Sequence, residues 1–432
     1  MHATSTKPER EPDVAGDKSF LAKLGPGLIT GAADDDPSGI ATYSQAGAQF
    51  GFTMLWTVLL TYPLMVGIQV VSARIGRVSG HGLATNIAKH YPRWLLYAIV
   101  SLLLIANTIN IGADVAAMGE ATRLLLGGHA HWYAVGFGLL SVMLQVLVPY
   151  HRYVRVLKWL TLALLAYVAT VFVVRIPWQQ VAVSTLLPQL SLKTEYLTTV
   201  VAVFGTTISP YLFFWQASQE VEDMRAQPGQ HDLLRAPQQA RANLRRIKID
   251  TYIGMGFSNI VAFFIMLTTA VTLHLHGITD IQSSAQAALA LRPIAGDFAF
   301  LLFSAGIIGT GLLAVPVLAG SSAYAIAGSF HWKNSLEYTP GKARGFYAVI
   351  AVSTLIGVLL SLSSIDPIKA LYWSAVLNGV ISVPVMVVMM LMAVRSDIMG
   401  QFVIKTKWRV LGWLATGLMA LAVLAMAITM AD

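Results

Sequence analysis

Long apolar runs, each bounded by charged or proline-bearing stretches, recur along the whole chain. Runs of about 20 residues, the length needed to cross a bilayer core, fall at 24–48, 53–76, 95–122, 132–149, 154–175, 196–220, 250–274, 297–328, 345–363, 369–394 and 409–430. The pattern predicts eleven membrane-spanning helices. The stretch Ile176 to Leu192 is too polar and proline-bearing to span and is expected at the outer interface. Gly277 to Ser284 and Asp366-Pro367 read as short external connections, and Glu220 to Asp250, with Pro228, Gly229 and Pro237 among mixed charges, reads as a solvated cytoplasmic loop.

Two runs are interrupted near their middles: Asp34-Asp35-Asp36-Pro37-Ser38-Gly39 in the first and Thr206-Thr207-Ile208-Ser209-Pro210-Tyr211 in the sixth. In hydrocarbon, carboxylates and broken hydrogen-bond ladders are tolerated only where they line a cavity or bind something. Paired proline-interrupted spans at matching positions of two halves point to an inverted-repeat transporter with its site at the midplane. The expected fold is therefore an all-α polytopic membrane protein with helices 1 and 6 broken. Residues 1–19 form a cytoplasmic tail and 20–432 a single transporter domain, with repeat one (spans 1–5) near 20–176, repeat two (spans 6–10) near 193–395, and span eleven at 409–430.

Composition agrees with this. Apolar residues make up 56% of the 432, and charged residues only 12%, which excludes a soluble enzyme built on one large core. The formal net charge of +8 would suit nucleic-acid binding, but its distribution is a topology signal. With a cytoplasmic N-terminus, 24 of the 29 Lys and Arg fall in the tail and in alternate connections, and five (Arg123, Arg175, Lys193, Arg292, Lys369) fall outside, as expected when basic loops stay inside. The odd number of spans puts Asp432 outside. The tail lacks the pattern of a cleaved signal peptide, so an inner bacterial membrane is the expected location. Cysteine is absent, which removes disulfides, thiolate metal sites and thiol redox chemistry.

At the two breaks, proline removes a backbone donor and frees carbonyls upstream of Pro37 and Pro210. Half-helix C-termini carry partial negative charge. Asp36 adds a full charge, and Thr206 and Ser209, one turn apart, can add hydroxyls. All are hard oxygen donors, so the expected ligand is a cation held by Asp36, Thr206 and Ser209. Asp34 and Asp35 cannot face the same ion as Asp36, since consecutive helical residues point about 100° apart; they are expected to line the access route or to be hydrogen-bonded structurally.

Gly25-Pro26-Gly27, Asp36-Pro37, Ala41-Thr42, Gln45-Ala46-Gly47-Ala48-Gln49-Phe50-Gly51 and Leu55-Trp56 resemble the start of the Nramp divalent-metal transporters, and the resemblance extends through span six and the eleven-span layout. It implies a LeuT-type inverted repeat and a divalent cation as transported substrate, with no cofactor, no enzyme activity and no nucleic-acid partner. Aligned on the family's Asp-Pro-Gly-Asn, the aspartate falls on Asp36 and the asparagine ligand on Gly39. In span six the metal-binding methionine falls on Ser209, the carbonyl-donating alanine on Thr206, and the histidine on Tyr211. Losing the thioether disfavours soft metals, and smaller residues leave room for the waters that Mg²⁺ retains. The chain thus looks most like the Nramp-related magnesium transporters, with Mn²⁺ the next ion expected.

The same resemblance places the family's span-three proton-route aspartate on Asp114 and its glutamate on Ala117. Tyrosine titrates near pH 10 in model peptides, so Tyr211 cannot replace the histidine, and transport is expected without proton coupling. Asn378 lies near a family glutamine that helps close over the ion. Glu120 is expected as an interfacial carboxylate, Asn107 and Asn110 as helix-packing amides, and Gly306 to Gly320 as close helix packing. A proton-coupled Mn²⁺ or Fe²⁺ importer, and an organic-cation or amino-acid transporter on the same scaffold, are the competing readings.

Overall fold

The computed structural model describes residues 30–31, 33–148 and 160–431. The Gly25-Pro26-Gly27 run, the basic residues Arg152, Arg155 and Lys158, the start of span five and Asp432 lie outside the described residues. Among those described, nine helical stretches are long and apolar enough to cross a membrane. They match ten of the eleven predicted spans, spans one and two being joined as Pro37–Ser79; at span five the described residues hold only the shorter apolar helix Leu162–Val171.

Span one is helical through Asp34, unwinds at Asp35 and Asp36, and resumes as α1 (Pro37–Phe50). Its neighbours are α2 (Leu55–Ser79), α3 (Leu83–His90) and α4 (Arg93–Leu126). Span six is split into α5 (Thr194–Thr207) and α6 (Pro210–Ala226). The second repeat continues as α7 (Ala240–Thr272), α8 (Ala299–Ser329), α9 (Arg344–Ser361) and α10 (Pro367–Ala393), and α11 (Thr406–Ala431) follows. Between spans five and six, Trp178–Leu186 forms a short, largely exposed helix.

Each break has a local cause. Proline stands first in both α1 and α6, where its missing N–H is harmless. Asp36 (φ −69°, ψ 170°) caps α1, its Oδ1 accepting from the Gly39 N–H at 2.7 Å. At the second break the Ser209 hydroxyl turns backward, donating toward the Gly205 and Thr206 carbonyls at 2.6 and 2.9 Å. It thereby bonds carbonyls at the C-terminus of α5.

Both halves of span one pack on α7, where Cβ atoms on Gly31 and Gly47 would stand 2.2 Å from the Gly254 carbonyl oxygen and 2.1 Å from Thr269 Oγ1, but their other attachments differ. On the α1/α5 side, a Cβ on Gly205 would stand 2.1 Å from the Ala375 carbonyl oxygen and one on Gly379 would stand 2.7 Å from that of Val201, so only glycine lets α5 and α10 meet backbone to backbone. Ser38 donates to the Leu371 carbonyl at 2.9 Å, joining α1 to α10. On the other side, Thr30 donates to Gln216 at 2.5 Å, Gln69 to the Leu212 carbonyl at 3.0 Å and Ser72 to that of Phe213 at 2.6 Å, which join the first half of span one and α2 to α6.

Only the middle of the Glu220–Asp250 stretch, 227–239, is the largely exposed connection expected from its charges; both ends are helical. Helix α6 runs on to Ala226 and α7 begins at Ala240. The fully buried Glu220 pairs with Arg246, which also lies 3.5 Å from Asp223. The charges pair with one another across two helices, and that pairing lets them sit inside the bundle. The helix-packing expectation for the glycine run in α8 holds: Cβ atoms on Gly311 and Gly320 would stand 2.6 Å from Met118 and 2.7 Å from Trp215. Glu120 pairs with Arg123 one turn later in α4.

Candidate functional site

The two breaks face each other in the centre of the bundle. Asp34, Asp35, Asp36, Asp114, Thr206, Ser209, Tyr211 and Asn378 are all buried. A Cβ on Gly39 would lie 3.2 Å from Thr206 Oγ1 and 3.3 Å from the Asp34 carbonyl oxygen. Asp36, Gly39 and Thr206 therefore border one small space, with Ser209 one turn from Thr206. The Tyr211 hydroxyl lies 3.1 Å from the Ala33 carbonyl oxygen and 3.4 Å from Asp36 Oδ2, closing the space on the α6 side.

Asn110 bonds between helices, as expected, but it does so at the site itself, which sequence reasoning missed. Expected as a packing amide, it donates from Nδ2 to Asp36 Oδ2 at 3.1 Å and to Asp114 Oδ2 at 3.2 Å. Its Oδ1 accepts from Ser374 at 2.8 Å and from Asn378 at 3.5 Å. It joins the carboxylates of spans one and three to span ten. The signal was its position: Asn110 is four residues before Asp114, hence on the same helical face. Asn107 also bonds between helices as expected, to the Leu318 carbonyl and the Ser321 and Ser322 hydroxyls at 2.7–3.0 Å.

Asp34 and Asp35 point to α7. Ser258 Oγ lies 2.5 Å from Asp34 Oδ2 and 3.0 Å from Asp35 Oδ1, a hydrogen-bonded arrangement rather than one shared with Asp36. Asp34 Oδ1, Asp35 Oδ2, Asp114 Oδ1 and Asn378 Oδ1 are buried with no hydrogen-bond partner among the described residues. No Lys, Arg or His pairs with any of the four carboxylates among the described residues. Buried carboxylates without basic partners require a proton or a cation to neutralise them.

No three His, Cys, Asp or Glu side chains among the described residues gather as a metal cluster. An ion at the breaks would take one carboxylate together with hydroxyl, carbonyl, amide and water oxygens. Ala117 supplies no titratable group on the helix that carries Asp114, and residues 345–361 of α9 contain no Lys, Arg or His.

The chain matches the Natural resistance-associated macrophage protein-like (Nramp) family over residues 27–429. It is 27% identical over 418 residues to the divalent metal cation transporter MntH of Klebsiella pneumoniae (strain 342), covering 95% of this chain and 94% of that one, and equally so to the same transporter of a second K. pneumoniae strain. The Eremococcus coleocola manganese transporter, crystallised with an aromatic bis-isothiourea compound, has the same fold, with a TM-score of 0.76 at 18% identity over 96% of this chain and 88% of that one. A nucleobase-cation-symport-1 family transporter in a closed conformation superposes with a TM-score of 0.56 at 15% identity, covering 94% and 92%. The LeuT-like architecture is thus shared more widely than the breaks' chemistry, and it is the sequence match across nearly the whole length that decides the matter: this chain belongs to the Nramp family.

Proposed function

We propose that the protein carries a divalent metal ion, Mn²⁺ foremost, across the membrane by alternating access through the space between the two breaks. The observation that carries this is the group of four buried carboxylates with no basic partner, one of which, Asp36, stands beside Thr206 and Gly39 where both helices unwind. Family membership and the MntH relatives support a divalent metal and count against the organic-cation reading, and the Eremococcus coleocola manganese transporter of the same fold supports Mn²⁺. Carboxylate, carbonyl and water oxygens suit Mn²⁺ as well as Mg²⁺. The unwound residues at 35–36 and 208–209 are the flexible joints such a cycle needs, and the basic connections are assigned to the cytoplasmic side.

Mg²⁺ is the second reading, and one observation favours it. No sulfur lies among residues 34–39 and 206–211, so the donors at the breaks are the hard oxygens that suit Mg²⁺. Uptake of Mn²⁺ and Mg²⁺ into proteoliposomes, measured side by side, separates the two. Saturable Mn²⁺ uptake that is abolished in Asp36→Ala is expected, with Mg²⁺ competing. Undiminished uptake in that variant would sink the site, whereas exclusion of Mg²⁺ would remove only the second reading.

A further inference from the structure

Two adjoining hollows meet at Trp332, in the turn between α8 and α9. The first is an apolar groove of about 490 Å³ along α4, α8 and α9, lined by Leu104, Ile109, Ile326, Val349, Ile356 and Leu360 among others. From Gly345 to Leu360 it follows α9 for about 22 Å at ~1.5 Å per residue, which exceeds the ~15 Å half-thickness of a bilayer core. The second is a polar hollow of about 320 Å³ at the basic end of the bundle, lined by His81, Ser218, Arg225, His331, Lys333 and Asn334 among others. Trp332 lines both.

The turn is built to present that ring. His331 (φ 57°) is the one non-glycine residue with positive φ among those described, a conformation in which histidine is enriched. The Trp332 N–H then returns to the Ala327 carbonyl at 2.8 Å. Phe330 stacks on Trp332 with ring centroids 5.3 Å apart, and Tyr97 stacks on Phe330 at 6.4 Å. All three rings are exposed, as aromatic residues at a membrane–water interface are.

Two cations, Arg225 and Lys333, and one carboxylate, Glu222, line the polar hollow, which leaves it net positive. Glu222, its acidic lining residue, accepts from the Tyr324 hydroxyl at 2.6 Å and the Leu336 N–H at 3.1 Å. Arg225 and Lys333 have no acidic partner among the described residues. Burial holds the His81 imidazole below its ordinary value, so it adds no charge at neutral pH.

We propose that the two hollows together bind one anionic phospholipid. Its phosphate headgroup lies between Arg225 and Lys333, and one acyl chain fills the groove along α4, α8 and α9. Basic pockets beside membrane helices recognise such headgroups, and here the pocket opens through a shared tryptophan onto apolar surface of acyl-chain length. The headgroup hollow is walled by α6 and the α2–α3 turn on one side and by the α8–α9 turn on the other, so the lipid spans a seam between the two repeats' helices.

The test is native mass spectrometry of the full chain in detergent, given equal amounts of phosphatidylglycerol and phosphatidylcholine. The wild type is expected to retain phosphatidylglycerol preferentially. One basic contact to an anionic headgroup is worth roughly five-fold, so Arg225→Gln with Lys333→Gln is expected to reduce phosphatidylglycerol retention about 25-fold and leave phosphatidylcholine unchanged. The charge-conserving Arg225→Lys with Lys333→Arg keeps the preference, and Ile356→Trp, which fills the groove, lowers retention of both lipids. Equal retention of the two lipids by the wild type, or an undiminished preference in the double Gln variant, overturns the proposal. So does complete displacement of phosphatidylglycerol by millimolar glycerol phosphate, which would make this a soluble-phosphate site in which the groove plays no part.

Discussion

Replacing Asn110 with alanine tests whether the arrangement at the breaks holds the transported ion. The amide has no direct claim to the metal; it fixes Asp36. Without it, Asp36 Oδ2 keeps only the 3.4 Å contact with Tyr211, while Oδ1 still caps α1 through Gly39. A hydrogen bond to a charged group contributes about 1.5–3 kcal/mol, and about 1.4 kcal/mol is ten-fold in an equilibrium constant. Losing it should raise the apparent KM for Mn²⁺ by roughly 10- to 100-fold, the range typical of residues that orient a metal ligand. Radiolabelled or fluorescent-dye uptake into proteoliposomes over a wide Mn²⁺ range reads this directly. Asn107→Ala is the matched control, since Asn107, one turn from Asn110, bonds the Leu318 carbonyl and two serines instead of a carboxylate. It should lower thermal stability and leave KM within about two-fold. If Asn110→Ala also leaves KM unchanged while Asp36→Ala abolishes uptake, the ion does not depend on the orientation described here.

Three further outcomes are expected. Ser209→Met should shift preference from Mg²⁺ toward Cd²⁺, because it places sulfur at the break and removes the hydroxyl that bonds the Gly205 and Thr206 carbonyls; an unchanged Cd²⁺-to-Mg²⁺ uptake ratio would show that residue 209 faces away from the ion. Metal influx into liposomes holding a pH-sensitive dye should cause no acidification, since a potential of about 100 mV already supplies roughly 4.6 kcal/mol to a divalent cation; a metal-dependent proton influx lost in Asp114→Ala would establish proton coupling instead. Arg246→Ala should lower the thermal midpoint in detergent more than Arg246→Met combined with Glu220→Leu does, because the single change leaves the buried Glu220 carboxylate unpaired. The reverse order would mean that the pair is dispensable.

Span positions were legible in the sequence because each apolar run had to be long enough for a bilayer, and the breaks because proline and aspartate cannot continue an apolar helix. What misled was polarity read without partners. Glu220, Arg246 and Asp250 look like loop residues one at a time, and only the folded pairing of α6 with α7 makes them interior. Asn110 and Asn107 are chemically identical and one turn apart; the spacing to Asp114 marks Asn110, but only the folded partners show that it orients Asp36 while Asn107 packs against α8. Ser258 and Ser374, which bond the acidic run and Asn110, carry no sequence signal at all, since serine is common in membrane helices for packing reasons.

The split attachment of the broken helices has a mechanical consequence. Ser38 and the Gly205–Gly379 contact fasten α1 and α5 to α10, whereas Thr30, Gln69 and Ser72 fasten the opposite halves to one another through α6. The short unwound strings at 35–36 and 208–209 are then the articulation between two stiff pieces, and the candidate ligands sit on that articulation itself. A cation bound there behaves as a pin through a hinge: it grips both pieces at the axis, where rotation changes its ligand distances least. Under the cycle proposed above, such a carrier would swing its cargo from one face to the other without letting go.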